Sequence, residues 1–276
     1  MKSIAPVENH RERETGVLVY PVYSRRSKGL SVGINLFPGK KQCPFNCPYC
    51  EVFPFTADAA FSPEQMEADL RLVINDAIKQ NIPVRDLCFS GNVESSLSPF
   101  FSDALARAAG IRNALVPAAE LVLISNGAGL LKPGIFSLLR DAAAGSPFLH
   151  IWIKLDAGTS DWYAKINRSA LSHAALIAAI QQFAALAPFT IQTMICAIDG
   201  QEPPPEEARA WEQTIKELAA IASVGEPGLR KVQIYGKARP APEDPKAQQL
   251  PAACLEARAA SLRSVLNSPT PVEVYP

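Results

Sequence analysis

The sequence predicts an α/β fold of parallel strands with outer helices. Three observations support it: apolar, β-prone runs alternate with longer helical patterns, six such strand–helix units follow one another, and no composition break marks a domain boundary. Six units are too few to close an eight-stranded barrel, so both an open partial barrel and a doubly wound sheet fit. In either arrangement, ligands bind at the carboxyl ends of the strands.

The elements can be placed along the chain by apolar periodicity and by capping signals. The six predicted strands are 31–37, 86–90, 121–126, 148–156, 190–198 and 231–238. The predicted helices are 62–80, 98–114, 131–143, 169–186, a helix ending near 222, and 252–266, with a short last strand at 272–275. The first helix has the clearest start, because Ser62, Pro63 and Gln65 match an N-cap, an N1 proline and a capping box. The proline-rich segment 239–251 predicts a surface loop.

Composition predicts a cytoplasmic protein that does not bind membranes. The 27 basic and 27 acidic residues balance, so no overall charge steers the chain towards nucleic acid or anionic lipid. No apolar run approaches the ~20 residues of a membrane helix, and the first twenty residues are charged where a signal peptide is apolar. In a reducing compartment, clustered cysteines are typical of metal or redox sites rather than disulfides.

The cysteine loop, GKKQCPFNCPYCEVF at 39–53, follows the first predicted strand. Cys43, Cys47 and Cys50 have the spacing C-x3-C-x2-C. Three cysteines match neither a closed four-ligand zinc site nor paired disulfides. A cubane iron–sulfur cluster has four irons, so three thiolates would leave one iron open to a small ligand. A zinc site of these cysteines plus one distant ligand stays open as an alternative.

Polar residues follow each of the later predicted strands. They are Gly91, Asn92 and Glu94, then Ser125 and Asn126, then Lys154 and Asp156, then Gln192, Met194 and Cys196, and finally Lys237 and Arg239. Because the carboxyl ends of parallel strands meet at one edge, this distribution predicts a site for a large polar cofactor. Taken singly, the Gly-Asn and Asn-Gly turns also fit ordinary turn chemistry, and Lys154 with Asp156 also fits a structural ion pair.

The spacing of the cysteines, the aromatic Tyr49 before the last of them and their place after the first strand resemble the radical S-adenosylmethionine (SAM) superfamily. The segments FSGNVESSLSP, SNG, IKLDAGTSDWYAKINR, IQTMI and VQIYGKARP are similar to its wyosine-synthetase-like iron–sulfur oxidoreductase branch. The resemblance covers about 30–240 of the chain. It implies a partial (β/α)6, TIM-like barrel, and one radical SAM domain over 1–276 in which 252–276 adds a helix and a short strand.

The resemblance also implies a role for each matching residue. Cys43, Cys47 and Cys50 would ligate a [4Fe-4S] cluster, whose remaining iron would bind the amino and carboxylate groups of SAM. Tyr49 would lie near the adenine. The other implied SAM-binding residues are Gly91, Asn92 and Glu94 along the methionine moiety, and Ser125, Asn126, Lys154 and Asp156 near the carboxylate or ribose.

The implied reaction is reductive cleavage of SAM to a 5′-deoxyadenosyl radical, which abstracts hydrogen from an unknown substrate. A flavodoxin- or ferredoxin-type donor would supply the low-potential electron, and loops 51–61 and 239–251 are candidate lids. Two departures concern the branch: Val93 replaces a glycine of its usual turn, and no cysteine precedes Cys43 to hold a second cluster. A wyosine-type activity on transfer RNA, and a non-catalytic zinc or iron–sulfur protein, are the alternatives.

Overall fold

The structure is a computed structural model that describes residues 16–92, 94–221, 228–266 and 268–276. The turn change expected from Val93 lies outside these residues. The chain divides into two compact units. The first comprises 1–43, 52–125 and 146–150, and the second comprises 44–51, 126–145 and 151–276.

The described residues of the first unit form two α-helices and a four-stranded sheet. The elements are β1 (Val19–Ser24), β2 (Gly29–Ile34), α1 (Pro63–Lys79), β3 (Val84–Phe89), α2 (Phe101–Leu115) and β4 (Glu120–Ser125). The strands lie in the order β1-β2-β3-β4; β2, β3 and β4 are parallel, and β1 is an antiparallel edge strand. The sequence did not predict β1, because Pro21 interrupts its apolar pattern. Proline is tolerated on an edge strand, where its missing N–H is not needed.

Helix α1 begins as its sequence predicts. The Ser62 hydroxyl accepts a hydrogen bond from the Gln65 backbone N–H at 3.1 Å, and the proline follows directly at the first helical position. The buried face of the helix consists of Met66, Leu70, Val73, Ile74 and Ala77. The 3.6-residue period of this stripe therefore sets which side of α1 packs into the unit.

The second unit contains the remaining strands and helices. Its elements are α3 (Pro133–Gly145), β5 (Leu149–Lys154, whose first two residues fall in the first unit), α4 (Ser160–Ile166), α5 (His173–Ala184), β6 (Phe189–Ile195), β7 (Ala197–Ile198), α6 (Pro205–Ala220), β8 (Leu229–Gly236), β9 (Ala247–Gln248), α7 (Ala252–Val265) and β10 (Val272–Tyr275). The order β5-β6-β8-β10 is parallel throughout, and β7 pairs with β9 antiparallel.

The helix expected at 169–186 is confirmed as α5, which begins at His173 because the Ser172 hydroxyl caps it. The short helix α4 before it was not predicted. One sequence prediction in this unit needs correction. The surface loop expected at 239–251 includes β9, and its Ala241 and Ala247 are both 1% exposed. Small apolar residues in this proline-rich segment are enough to bury part of it.

The strand order follows the chain, and helices separate the parallel strands. The α/β fold class and its partial (β/α)6, TIM-like strand order are thus confirmed, as is the short last strand predicted at 272–275, which is β10; β1 is added to the predicted strands of this sheet. Over the described residues, no helix combines the length and apolar character that crossing a bilayer requires.

A close approach at Gly158 gives a stability prediction. A Cβ atom there would lie 2.0 Å from the backbone nitrogen of Trp211 on α6, so Gly158→Ala must displace backbone. We expect this overpacking to lower the free energy of unfolding by about 1–3 kcal/mol, measured by urea denaturation.

The matched control is Gly110→Ala in α2, where an added Cβ meets nothing within 4 Å. This change should raise the free energy of unfolding by about 0.5–1 kcal/mol, because alanine favours helix over glycine. Equal effects of the two substitutions would contradict the close packing of α6 at Gly158.

Candidate functional site

The cysteine loop follows β2, and Cys50 N–H donates to the Cys47 carbonyl at 3.0 Å in a tight turn. None of the three cysteines is in a disulfide; Cys43 is exposed, and Cys47 and Cys50 are partly buried. Over the part of the chain described, no three His, Cys, Asp or Glu side chains are grouped closely enough to hold a metal ion.

In the second unit, the Asp156 carboxylate is the centre of a buried polar cluster. Its side chain is 0% exposed. One oxygen accepts from the Met194 backbone N–H at 2.9 Å, and the other accepts from Asn167 Nδ2 at 2.9 Å and from the Tyr49 hydroxyl. Lys154 Nζ lies 3.3 Å from the same oxygen. We call Tyr49, Lys154, Asp156 and Asn167, together with Tyr235, the Asp156 cluster.

Lys154 is held in this cluster as an ammonium ion. Its Nζ lies 4.7 Å from the centre of the Tyr49 ring and 5.0 Å from that of Tyr235, and it donates to the Tyr235 hydroxyl. Burial alone would lower the pKa of Lys154, but the Asp156 carboxylate and Tyr235 outweigh it and raise the pKa. A cation between two aromatic faces and a carboxylate keeps its proton at neutral pH.

Cys47 contacts the same cluster. Asn167 Nδ2 lies 3.5 Å from Cys47 Sγ, within hydrogen-bonding reach of sulfur. Burial raises the pKa of the Cys47 thiol to about 11, and the Asp156 carboxylate adds to the rise. Two further contacts hold the loop: Asn46 N–H donates to the Asn167 carbonyl at 3.0 Å, and the Ser169 hydroxyl donates to the Pro44 carbonyl at 3.0 Å.

The residues around the loop fit a cluster by their chemistry. Three thiols within eight residues are a donor set typical of iron–sulfur ligation. Tyr163 on α4 packs edge-to-face against Phe45 of the cysteine loop, with ring centroids 5.8 Å apart, and within the described residues its buried hydroxyl has no hydrogen-bond partner within 3.5 Å. A buried hydroxyl of this kind beside the cysteine loop is a group that a bound cofactor would satisfy.

In the first unit, a second carboxylate follows β3. Glu94 is 2% exposed, and its Oε1 accepts from the Ser96 hydroxyl at 2.6 Å and from the Ser125 hydroxyl at 2.9 Å. The turn before it contacts the start of the cysteine loop, since Gln42 N–H donates to the Asn92 carbonyl and Glu94 N–H donates to the Gln42 carbonyl, at 3.2 and 3.3 Å. Gly91 has φ +122°, which favours glycine there.

Asn126 takes part in ordinary turn chemistry. Its Oδ1 accepts from the Ala128 backbone N–H at 2.9 Å, and Gly127 between them has φ +80°. This contact orients the side-chain amide whatever else it binds.

The predicted site residues thus form two groups, one in each unit. Glu94 contacts Ser125 in the first, and its turn contacts Gln42. Tyr49, Lys154, Asp156 and Cys47 meet in the second, and Lys154 and Asp156 form the ion pair that the sequence left open. The cofactor roles of all these residues stay predictions.

Sequence reasoning missed Asn167 and Tyr235. Both had a usable signal, because each lies in a segment that resembles the wyosine-synthetase-like branch, Asn167 in IKLDAGTSDWYAKINR and Tyr235 in VQIYGKARP.

Comparison with solved structures identifies the fold. A radical SAM methyltransferase from Sphaerobacter thermophilus superposes with a TM-score of 0.63 at 15% identity, covering 92% of this chain and 68% of that one. The chain has the fold of radical SAM enzymes. Streptococcus suis SuiB bound to SAM gives a TM-score of 0.62 at 11% identity, covering 85% of this chain and 48% of SuiB. TYW1 with a lysine–pyruvate adduct bound gives a TM-score of 0.54 at 12% identity, covering 86% of this chain and 74% of the TYW1 chain.

Comparisons of sequence are more limited. No protein-family model matches the chain. A UPF0026 protein of Helicobacter pylori is 28% identical over 127 residues, which cover 44% of this chain and 38% of that protein. The resemblance to the radical SAM superfamily is therefore confirmed at the level of the fold.

The Asp156 cluster gives a second stability prediction. Removing one partner of a buried ion pair leaves the other charge buried and unpaired. Asp156→Asn and Lys154→Met should therefore each lower the free energy of unfolding by about 3–5 kcal/mol. The double variant should lose less than the sum of the two, by a coupling of about 0.5–3 kcal/mol, measured by urea denaturation.

Asp141→Asn is the control, because Asp141 pairs with Arg140 on the exposed surface of α3 and should leave stability nearly unchanged. Strictly additive losses at Asp156 and Lys154 would show that the two charges do not depend on each other.

Proposed function

We propose that the chain is a radical SAM enzyme that binds a [4Fe-4S] cluster through Cys43, Cys47 and Cys50. The observation that carries this proposal is the placement of three cysteines outside any disulfide, spaced C-x3-C-x2-C, in the loop after the first parallel strand of this fold. Three thiolates leave one iron of such a cluster open to SAM. When bound, the reduced cluster supplies the electron that cleaves SAM to methionine and a 5′-deoxyadenosyl radical, which takes hydrogen from a substrate.

The protein's own residues would bind and orient the cofactor. We assign the methionine moiety to the turn of Gly91, Asn92 and Glu94, because a buried carboxylate fixed by two hydroxyls is a suitable acceptor for an ammonium group. The Ser125 hydroxyl donates to Glu94, and Ser125 and Asn126 are assigned to the carboxylate or ribose of SAM. In the Asp156 cluster, Tyr49 is assigned to the adenine, and Lys154 and Asp156 to the carboxylate or ribose.

Closure of the site is assigned to the two candidate lids. Arg239, at the start of 239–251, forms an ion pair with Glu51 at 3.0 Å between Nη1 and Oε2. This contact joins the end of the cysteine loop to the proline-rich segment. Such a contact would help to exclude water from a reaction that passes through a radical.

The partners belong to the same proposal. A low-potential donor of the flavodoxin or ferredoxin type would deliver the electron. The substrate is a hydrogen donor of unassigned class, with transfer RNA as one candidate. The basic residues available for RNA are sparse, at 25–28, 39–41 and 236–239. Transfer RNA binding with a steep salt dependence in a gel shift would favour the wyosine-type alternative.

The test is anaerobic reconstitution followed by reaction with SAM and dithionite. The wild-type protein should bind four irons and form 5′-deoxyadenosine, a product measurable by liquid chromatography. Cys47→Ala should reduce both to background, because two thiolates cannot hold the cluster. Cys254→Ala, on α7 and also partly buried, should retain both.

Two results would count against the proposal. A fully iron-loaded protein that forms no 5′-deoxyadenosine would exclude this catalysis. A colourless protein with stoichiometric zinc after anaerobic purification would instead support the structural zinc site.

A further inference from the structure

Asn167 connects the cysteine loop to the Asp156 cluster. It is 2% exposed and lies at the end of α4. Its Nδ2 atom donates to Asp156 Oδ2 at 2.9 Å and lies 3.5 Å from Cys47 Sγ, while its carbonyl accepts from Asn46 N–H at 3.0 Å. One residue therefore contacts the sulfur of a predicted ligand, the backbone of its loop and the buried carboxylate.

The geometry of the amide makes the contact to sulfur specific. The –NH2 group has two protons, so Nδ2 can serve the carboxylate and the sulfur together. Asp156 is fixed by Met194 N–H and by Lys154, and thus restricts the rotation of the Asn167 amide. The N–H of Asn167 is therefore held in an orientation that points at Cys47 Sγ.

A fixed N–H at a ligand sulfur changes the reduction potential of an iron–sulfur cluster. Hydrogen bonds to the sulfurs set the reduction potential, because they stabilise negative charge on the thiolate. The reduced cluster carries one more negative charge than the oxidised one. The N–H of Asn167 consequently stabilises the reduced form more.

We propose that Asn167 is a positioning residue that raises the reduction potential of the cluster through its N–H to Cys47 Sγ. This inference rests on the proposed function, since it requires the cluster on Cys43, Cys47 and Cys50. It adds a role for a side chain that has no place among the predicted ligands or SAM contacts.

If Asn167 only anchors the cysteine loop, any other loss of anchoring should shift the reduction potential equally. Ser169 also anchors the cysteine loop, through its hydroxyl to the Pro44 carbonyl, but this hydrogen bond ends on backbone and not on a ligand sulfur. Loosening the loop by Ser169→Ala tests anchoring alone. Asn167→Ala removes both the anchoring by the side chain and the N–H at sulfur.

The experiment is a redox titration of the reconstituted proteins with dithionite and mediator dyes, followed by electron paramagnetic resonance without SAM. In Asn167→Ala, the equilibrium constant for one-electron reduction should fall about three- to tenfold, which is a shift of roughly 30–60 mV to more negative potential. Asn167→Ser, which keeps a shorter donor, should fall between Asn167→Ala and wild type. Ser169→Ala should keep the wild-type potential.

The outcomes distinguish a failure of the proposed function from a failure of the role of Asn167. If wild type assembles no cluster, the proposed function fails. If wild type assembles one but Asn167→Ala has an unchanged potential, or Ser169→Ala shifts equally, the role of Asn167 is overturned and the proposed function stands. If Asn167→Ala assembles no cluster, the reduction potential of Asn167→Ser is compared with those of wild type and Ser169→Ala instead. An unshifted potential in Asn167→Ser, or its failure to assemble a cluster, would then overturn the role of Asn167.

Discussion

The arrangement of the second unit's site depends on the buried carboxylate of Asp156. An ionised carboxylate away from water is costly unless donors and a cation surround it. Here the donors come from different segments: Tyr49 from the cysteine loop, Asn167 from the end of α4, the Met194 backbone from β6, and Lys154 from β5. Satisfying one charge thus fixes four segments with respect to one another.

This constraint explains how polar contacts hold the segment 44–51 of the cysteine loop. Tyr49 of this segment donates to Asp156 in the Asp156 cluster. Asn46 and Cys47 contact Asn167, and the Pro44 carbonyl accepts from Ser169. The pKa of Cys47 is raised by burial and by Asp156, so the metal-free thiol stays protonated at neutral pH. Ligation to iron would require loss of that proton, which couples cluster assembly to pH.

The first unit also contains a buried carboxylate, Glu94, which accepts hydrogen bonds from the Ser96 and Ser125 hydroxyls. In the second unit, Asp156 has the ammonium group of Lys154 at 3.3 Å in addition to its neutral donors. Hydroxyls and backbone N–H groups orient a carboxylate, and a lysine adds a positive charge beside it.

The sequence predicted what local patterns determine. The six parallel strands and helix α1 follow from apolar periodicity and capping. The spacing of Cys43, Cys47 and Cys50 marks the cysteine loop, and its role as a ligand loop stays a prediction. Strand β1 was missed because Pro21 interrupts its apolar pattern, although it pairs with β2 next to it in sequence. Asn167 was missed because its partners, Cys47 and Asp156, are 120 and 11 residues away in sequence and only folding brings them together.

The central claim is that three cysteines hold a cluster with one iron open to SAM. The most direct measurement is the Mössbauer spectrum of protein reconstituted with iron-57 and titrated with SAM. The account predicts that one iron of the four changes its spectrum as SAM binds, while the other three keep theirs. Four irons that all remain unchanged at saturating SAM, or an iron content below that of a four-iron cluster in active protein, would contradict it.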